Sequence, residues 1–478
     1  MRRTSRRTSL LTAAGLLLAA APARAQAPTI AGAVRLTGLG IPTNRADPFG
    51  LAVSPDGFLW VAVAGNSCLN PPTCNNNVVA KIDPAAMSVV GTVAVGFFPE
   101  EIAFVVDPSQ PGVPRWGWVT VNGDGTVVRF GANPSLPDYL TVTAVLPFPP
   151  PGQYGPFGIA AHPTYPFVFV GDFNCGGIIR AIESITPTYV PAADISVPGC
   201  HGRLAFAGNL LIVPTTDYSN FPEVCVSVSA VQPLDPSAVW TRCLGCSTTG
   251  YPSGQDVATN AAGEAFVLPY DLGERVHLFD PAAGGLVRTI ATGLGFANQG
   301  IGISPDGSLV AVTDFFQNSV LFIDGVSHQL LAVVPFGPYL SPNDVVFLGG
   351  DAWVTAQNSE AVVRITNLPT PVPSPYAFTL AASESTPALG GTTTITLTGG
   401  SPEAILFSTA DVPAPIGGGL ALEIGAFSVV AAGGGPALSI TVPIPTIAGL
   451  ECTPIFLQGI GAVGASPAVS NPITVIPQ

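Results

Sequence analysis

The chain has 478 residues, of which 47% are hydrophobic and 10% are charged, and its formal net charge is −14. This length is enough for one large core and a second, smaller one, and the excess of acidic residues opposes binding to nucleic acids and to anionic membranes. The 54 glycines and 50 prolines, with so few charges, are typical of an all-β protein that has many turns.

The first 25 residues have the pattern of a signal peptide. Arginines near the N-terminus precede an apolar run over 10–21, and Ala23-Arg24-Ala25 follows as an Ala-x-Ala cleavage site. Residues 5–11 also resemble a twin-arginine signal. We therefore predict a secreted or periplasmic protein that begins at Gln26 and is exported by the Sec or the twin-arginine route. Without the five arginines of the signal, 11 basic residues face 30 acidic ones, a net charge of −19, and no later apolar run is long enough to predict a membrane span.

Seven copies of one pattern follow between Asp47 and Arg364. Each copy contains an apolar strand, a turn, a second apolar strand, a gap and a third strand, and the Pro-Asp-Gly of the clearest copies is typical of a tight turn between strands. The copies begin near Pro48, Pro99, Pro156, His201, Gly254, Asn298 and Pro342. Their separations of 44 to 57 residues are close to one four-stranded blade each. The sequence therefore predicts a seven-bladed β-propeller.

The seventh copy ends after its third strand, so one strand is missing. The apolar segment 31–39 precedes the first copy and has the composition to supply that strand. We predict that it joins the last blade and closes the ring, which removes exposed sheet edges. The alternative is a stack of β elements without closure.

Downstream of the ring, we divide the chain into a Pro-rich linker over 369–375 and a second domain over 376–478, which leaves 26–368 for the propeller. The second domain is almost free of charge, and its runs Thr393–Thr398 and Leu438–Val442 alternate with period two, which predicts a small β-sandwich. The segment from Ile444 to Val475 resembles the terminal domain of many secreted planctomycete or myxobacterial proteins. This resemblance implies an accessory or surface-association module.

The residues that begin the first strand of each blade should meet at the central channel. The last residue before each apolar strand is Gly50, Glu101, Gly158, Arg203, Asp256, Gly300 or Asp344, and the residue before it is Phe49, Glu100, Phe157, Gly202, Gln255, Gln299 or Asn343. We predict a ligand-binding channel mouth made of Glu101, His201, Arg203, Gln255, Asp256, Asn298, Gln299, Asn343 and Asp344. The alternative is that these groups hydrogen-bond one another and channel water, and so cap the blades.

Four of these residues could hold a metal ion. Carboxylate and amide oxygens are the ligands that hard cations take, and Asp256, Asn298, Asn343 and Asp344 supply them. The sequence requires no cofactor, and Ca²⁺ or Mg²⁺ is the candidate for this ring.

The eight cysteines indicate disulfides, in keeping with an oxidising compartment. Cys225 and Cys243 lie on the predicted third and fourth strands of one blade at equal distances from the turn at Leu234, which predicts that they pair. Loop proximity predicts the pairs Cys68 with Cys74 and Cys175 with Cys200. Cys246 and Cys452 pair only if the second domain docks against the fifth blade, and are otherwise free thiols.

The segments Pro48–Gly57 and Pro342–Asp344 make the propeller resemble the superfamily of NHL, YVTN and gluconolactonase/regucalcin-like propellers. The gluconolactonase-like members hold a divalent metal on the channel axis with a Glu, Asn residues and an Asp, and the resemblance makes Asn298, Asn343 and Asp314 the nearest matches. The segment Asp47–Gly50 stands where those members have their Glu.

Two functions remain open at this stage. The favoured one is a binding protein that holds a small polar ligand, a glycan or a protein at a propeller face, acts as a monomer and uses the second domain as a spacer or anchor. The alternative is a metal-dependent hydrolase that acts on a lactone, an ester or a sugar acid. The sequence contains no Gly-x-Ser-x-Gly, His-Glu-x-x-His, P-loop or Rossmann motif, and it identifies no catalytic residue.

Overall fold

The architecture is taken from a computed structural model of the chain. It describes residues 27–37, 39, 46–65, 77–106, 110, 112–149, 155–233, 235–250, 252–270, 275–282, 284–291 and 298–371, and, beyond these, 379–382, 392–398, 401–408, 414–417, 420–422, 428–432, 437–443, 455–463, 466–469 and 473–475. The predicted signal peptide, the Pro-rich linker after residue 371, Cys68, Cys74 and Cys452 lie outside these residues.

Within the described residues up to 371, the strands form seven antiparallel sheets, one for each repeat. The first strand is β1 (Thr29–Arg35). Blade one contains β2 (Pro48–Val53), β3 (Leu59–Val63), β4 (Val78–Asp83) and β5 (Ser88–Ala94), and blade two contains β6 (Pro99–Val106), β7 (Pro114–Val121), β8 (Thr126–Gly131) and β9 (Val142–Pro147). Blade three contains β10 (Pro156–Ala161), β11 (Phe167–Asp172), β12 (Ile178–Glu183), β13 (Thr188–Tyr189) and β14 (Ile195–Ser196). Blade four contains β15 (Cys200–His201), β16 (Ala205–Ala207), β17 (Leu210–Asp217), β18 (Val224–Gln232) and β19 (Asp235–Ser247).

Blades five to seven continue the same order. Blade five contains β20 (Ser253–Thr259), β21 (Ala265–Tyr270), β22 (Arg275–Asp280) and β23 (Gly285–Ala291), and blade six contains β24 (Asn298–Ile303), β25 (Leu309–Asp314), β26 (Ser319–Asp324) and β27 (Leu330–Pro335). Blade seven contains β28 (Pro342–Leu348), β29 (Asp351–Ala356) and β30 (Ala361–Thr366). Three 3-10 helices, Asn122–Asp124, Pro191–Ala193 and Gln357–Ser359, lie in the described loops. The seven-bladed propeller predicted from the repeats is confirmed.

The ring closes as the sequence predicts. Strand β1 pairs antiparallel with β30, so that Val34 faces Val362, and it becomes the fourth strand of blade seven. Val34 and the following Leu36 are buried between blades seven and one. The innermost strand β2 contacts both β6 and β28, so the first and last blades are neighbours.

Each hydrophobic core lies between two adjacent blades, which explains why the strands are apolar on both faces. Trp60 of blade one, for example, packs in one cluster with Val119 and Phe130 of blade two. All three side chains are fully buried. The blades are therefore held by face-to-face packing around the ring, with no single central core.

The alternating strand directions define two faces. The innermost strand of each blade starts at the channel mouth, so loops between second and third strands also lie on this side, which we call the mouth face. Loops between first and second strands, and between third and fourth strands, lie on the opposite face.

Beyond the ring, the described C-terminal strands are β31 (Thr379–Ala382), β32 (Thr392–Thr398), β33 (Ser401–Ser408), β34 (Ala414–Gly417), β35 (Leu420–Leu422), β36 (Ser428–Ala432), β37 (Ala437–Pro443), β38 (Ile455–Val463), β39 (Ser466–Val469) and β40 (Ile473–Val475). These form sheets β31-β32-β37, β36-β33-β38-β39 with β40 also on β38, and β34-β35. The C-terminal region is thus all-β, and its packing as a sandwich and its separation by the linker stay predictions. Strand β40 contacts β23 of blade five.

The disulfides confirm one predicted pair and correct another. Cys175 is bonded to Cys200, as predicted. Cys225 is bonded to Cys246, so the prediction of Cys225 with Cys243 is wrong. Strands β18 and β19 are indeed the third and fourth strands of blade four, but their register shifts at two irregularities, and Cys243 faces Ser227. Cys243 is itself disulfide-bonded.

Candidate functional site

The channel mouth contains one buried arginine surrounded by three carboxylates. Arg203 lies between β15 and β16 of blade four and is 5% exposed. Its Nε lies 2.6 Å from Oε1 of Glu101, and its Nη1 lies 3.0 Å from both Oδ2 of Asp256 and Oδ1 of Asp344. Its Nη2 donates to Oδ1 of Asn343 at 3.3 Å. The structure therefore brings together five of the predicted residues, contributed by blades two, four, five and seven.

Asp256 and Asp344 also connect neighbouring blades. Asp344 accepts hydrogen bonds from the backbone N–H of Val345, which follows it, and from that of Leu51 in blade one, both at 2.7 Å. Asp256 accepts in the same way from the following residue at 2.7 Å and from Ile301 of blade six at 2.9 Å. A carboxylate at the start of an inner strand can reach the backbone of the next blade because the inner strands converge at the axis. Each aspartate thus has two roles: it pairs with Arg203, and it links its own blade to the next one.

Glycine at the equivalent position of other blades permits this convergence. A Cβ on Gly50 would lie 2.1 Å from the backbone oxygen of Glu100, and a Cβ on Gly300 would lie 2.4 Å from that of Asn343. Side chains are therefore excluded at these positions by the backbone of the next blade. This contact explains why three of the seven blades have glycine at this position, at Gly50, Gly158 and Gly300.

Burial dominates the electrostatics of the mouth. Loss of hydration raises the pKa of Glu101 well above its usual value and that of Asp256 to about 6, in both cases against the attraction of Arg203. It raises the pKa of Asp344 as well, and that of the neighbouring Glu100 well above its usual value. For Arg203, burial favours the neutral form, but the three carboxylates outweigh it and raise the pKa. The guanidinium therefore stays charged, and it faces more carboxylates than it can neutralise.

An outer layer of amides and aromatic rings covers this cluster. The Phe49 ring centroid is 5.6 Å from the Arg203 guanidinium carbon and 6.2 Å from the ring of Phe157. Gln255 donates to Gln299 at 3.2 Å, and Asn343 donates to Gln357 at 3.1 Å. The predicted glutamines thus lie at the mouth, whereas Gln357 was missed because it comes from a loop after the second strand of blade seven.

The remaining predicted residues have other positions. His201 is buried between blades three and four, where its Nδ1 accepts from the backbone N–H of Asp172 at 3.0 Å and its Nε2 donates to the oxygen of Val197 at 2.7 Å. Both nitrogens are thus used by the backbone, and burial lowers the pKa of this histidine. Asn298 begins β24, and its side chain is outside the described residues. Asp314, a match to the metal-binding propellers, accepts from the backbone of Gln317 at 2.9 Å.

The carboxylates surround a guanidinium at the position where a metal ion was predicted. In the part of the chain that the structure describes, no group of three or more His, Cys, Asp or Glu residues is arranged to hold a metal ion. A metal bound by Asp256, Asn298, Asn343 and Asp344 stays a prediction. It would have to compete with Arg203 for two of these carboxylates.

Behind Arg203 the channel contains a cavity of about 320 Å³. Its walls are aliphatic side chains of the inner strands, such as Ile102, Ile159 and Ile301, and the ion cluster forms one end. The channel is therefore polar at the mouth and apolar behind it.

Exposed aromatic side chains surround the mouth. Phe173 is 51% exposed, Tyr218 is 39% exposed, and Phe221 and Phe316 are each 69% exposed. They come from the loops after the second strands of blades three, four and six, and Leu340, 48% exposed, lies on the same face. Aromatic residues are unusual on a solvent-facing surface and are concentrated in binding interfaces.

The sequence contains a signal for these residues that our prediction missed. An Asp ends the second strand of blades three, four and six, and an aromatic residue follows it each time, as in Asp172-Phe173, Asp217-Tyr218 and Asp314-Phe315-Phe316. The Asp side chain accepts backbone N–H bonds from the loop, for example 2.8 Å from Asn174 to Asp172 and 2.8 Å from Ser219 to Asp217. The loop turns at the Asp, and the aromatic side chain that follows is left on the surface.

No protein-family model matches the chain, and no curated protein matches it in sequence. Solved structures match its fold. Hydrazine synthase of Kuenenia stuttgartiensis aligns with a TM-score of 0.52 and 17% identity over 70% of this chain and 99% of that chain. A chain of the mitotic checkpoint complex gives 0.52 and 12% over 71% and 95%, and the Cps50 (Swd1) β-propeller domain of Myceliophteria thermophila gives 0.51 and 11% over 71% and 99%. At these identities the similarity shows the propeller fold alone.

Proposed function

We propose that the protein is an exported binding protein whose mouth face docks on another protein. The observation that carries this proposal is the group of four exposed aromatic side chains, Phe173, Tyr218, Phe221 and Phe316, on loops that surround a polar channel mouth. Large aromatic side chains dominate the energy of protein interfaces because they bury much surface at little conformational cost. Propellers of this fold include one that was solved within a protein complex.

The contacts of the buried charges indicate that the partner binds the mouth-face loops and not the ion cluster around Arg203. Arg203 forms ion pairs with Glu101, Asp256 and Asp344, and both aspartates accept hydrogen bonds from the backbone of the next blade. A ligand that bound these groups would have to replace contacts that hold the ring together. The exposed aromatic residues make no such contribution, so a partner gains their burial without disturbing the fold.

Export rests on the signal-peptide pattern of the first 25 residues, and the Cys175–Cys200 and Cys225–Cys246 disulfides are consistent with an oxidising compartment. In the described residues, no helix has the length and apolar character needed to cross a membrane. The net charge of the mature chain favours a partner with a basic or neutral surface.

Site-specific photocrosslinking in the source organism tests the proposal. The photoreactive residue p-benzoylphenylalanine replaces Phe221 or Phe316 on the mouth face and, as the matched control, Val326, which is 76% exposed on the opposite face. We expect both mouth-face positions to crosslink to the same protein and Val326 not to do so.

Affinity measurement with the purified partner completes the test. Because the two phenylalanines are exposed, Phe221→Ser with Phe316→Ser should leave the fold intact and weaken binding by at least about tenfold. Crosslinks that form equally from Val326, or an unchanged affinity of the double variant, would contradict the proposal.

A further inference from the structure

A second cavity lies on the opposite face, between blades two and three. It has a volume of about 460 Å³, within the range of about 300–1,000 Å³ that is usual for small-molecule sites. The end of β6, the start of β7, the loop between β10 and β11, and the segment after β12 form its walls, with Val106, Trp116, His162, Tyr165 and Ile185 among the lining residues. We call it the rim cavity.

The rim cavity has an apolar wall that is open to solvent. Val106 is 42% exposed, Tyr165 is 50% exposed and Ile185 is 55% exposed, and all three line it. Isolated exposed hydrophobic residues are normal, but three around one concave site are not. Since the cavity is concave and narrow, a small molecule fits it better than a flat protein surface does.

Two arginines are stacked on the aromatic ring of this wall. The guanidinium carbons of Arg115 and Arg129 lie 4.6 Å and 4.8 Å from the ring centroid of Trp116. Arg129 donates to the backbone oxygens of Ser184 and Ile185 at 2.7 Å and 3.0 Å, so its position is fixed. The indole of Trp116 is therefore held in place beside the cavity before any ligand arrives.

Arg115 gives the rim cavity a positive group. Its Nη1 lies 3.1 Å from Oδ2 and 3.3 Å from Oδ1 of Asp138. A guanidinium has five N–H donors, and this pair uses those of one nitrogen. Arg115 lines the cavity, so its other donors are available to an anionic group there.

His162 adds a neutral ring to the wall of the rim cavity. The backbone N–H groups of Thr164 and Tyr165 both donate to its Nδ1 at 3.2 Å, so the proton of the neutral ring is on Nε2. Burial lowers the pKa of this histidine, which keeps it neutral. Its Nε2 is buried and has no hydrogen-bond partner among the described residues, so this nitrogen does not face the open cavity, and His162 contributes the face or edge of a neutral ring to the wall.

We propose that the rim cavity binds one small planar aromatic molecule that carries a carboxylate or another anionic group. The aromatic part lies against Trp116, Tyr165 and Ile185, and the anionic group faces Arg115. This site is separate from the mouth face, so binding there and partner docking do not compete for the same residues.

Two fluorescent probes test this proposal on the full mature chain. Anilinonaphthalene sulfonate is planar, aromatic and anionic, and phenylnaphthylamine has the same aromatic part without the charge. We expect one saturable site for each probe and tighter binding of the sulfonate. Ile185→Asp and Val106→Asp place a carboxylate on the apolar wall at exposed positions and should weaken both probes by about tenfold. Val326→Asp, at a position that is 76% exposed and does not line the rim cavity, is the matched control and should change neither affinity.

Arg115→Gln separates the charge from the apolar contacts. It should weaken the sulfonate severalfold and leave phenylnaphthylamine unchanged, while Arg115→Lys retains part of the preference for the anion. Binding at several sites, unchanged affinity in Ile185→Asp and Val106→Asp, or equal loss in Val326→Asp would overturn the cavity as the site. Equal weakening of both probes by Arg115→Gln would overturn the anionic class of ligand.

Discussion

Replacing Arg203 with methionine is the sharpest test of how the channel mouth is built. The substitution keeps an unbranched apolar stem and removes the guanidinium, which leaves Glu101, Asp256 and Asp344 without the group that lies 2.6 to 3.0 Å from them. The side chains of the three carboxylates are only 6–13% exposed, so hydration compensates poorly for the lost cation. Removing one partner of a buried ion pair typically costs about 3–5 kcal/mol, and we expect a loss of that size or larger in the free energy of unfolding at neutral pH.

The loss should depend on pH in a defined direction. Burial already raises the pKa values of Glu101, Asp256 and Asp344 above those of the unfolded chain, and without Arg203 they rise further. Between the unfolded and folded pKa values the folded state binds more protons, so the variant gains stability relative to the wild type as pH falls. Each carboxylate contributes up to about 1.4 kcal/mol per pH unit. The four histidines, whose pKa values burial lowers, destabilise both proteins equally in acid and cancel in the difference.

Urea unfolding followed by tryptophan fluorescence measures both effects. Arg364→Met is the matched control, since Arg364 pairs with Asp351 at 2.6 Å but is 35% exposed, and such a surface pair contributes about 0–1 kcal/mol. The difference between Arg203→Met and the wild type should shrink by about 1–2 kcal/mol between pH 7.5 and pH 5. A loss no larger than that of Arg364→Met, or a difference that stays constant with pH, would refute the reasoning.

Three other changes test the rest of the fold. Lys81, the chain's single lysine, is 2% exposed, and its Nζ lies 3.3 Å from Asp56 and over three aromatic rings. Lys81→Met should lower the free energy of unfolding by about 1–3 kcal/mol, measured by urea unfolding, and an unchanged urea midpoint would refute this. Deleting residues 27–37 removes β1 with two buried aliphatic side chains and should cost about 3–6 kcal/mol, with light scattering expected to detect association through the exposed edge of β30; equal stability and no association would disprove closure. Cys225→Ala and Cys246→Ala should each cost about 2–4 kcal/mol and the double variant no more, whereas additive losses would mean that these two cysteines are not bonded to each other.

The fold could be predicted because its determinants are local and repeated. A strand-turn-strand pattern recurs at blade spacing, with Pro-Asp-Gly as the turn in 48–63 and 298–314, and the missing last strand required a partner from the N-terminus. The pairing of Cys225 could not be predicted in the same way. It depends on two register irregularities in β18 and β19, and a shift of one residue exchanges the faces of a strand.

The sequence predicted which residues lie near the channel mouth but not which of them contact each other. Its residues could be identified because every inner strand starts there, but a list of acids, amides and one arginine does not say which charges pair. The structure places Arg203 between three carboxylates. These contacts are those of the alternative stated in the sequence analysis, in which the polar groups at the mouth bind one another. His201 was placed at the mouth because it stands at a repeat start, yet blade four begins irregularly with two short strands, β15 and β16, that turn this side chain toward blade three.

The difference between the inner strands and the loops after the second strands indicates where the propeller can bind a partner. Positions at the start of the inner strands are constrained by closure, since a side chain at Gly50 or Gly300 would collide with the next blade and the carboxylates of Asp256 and Asp344 are used by its backbone. In the loops after the second strands of blades three, four and six, the strand-terminal Asp accepts backbone N–H groups of the loop, and side chains such as Phe221 and Phe316 stay 69% exposed. Exposed aromatic residues can therefore be placed there without cost to the fold, and it is on these loops that we expect partner specificity to be determined.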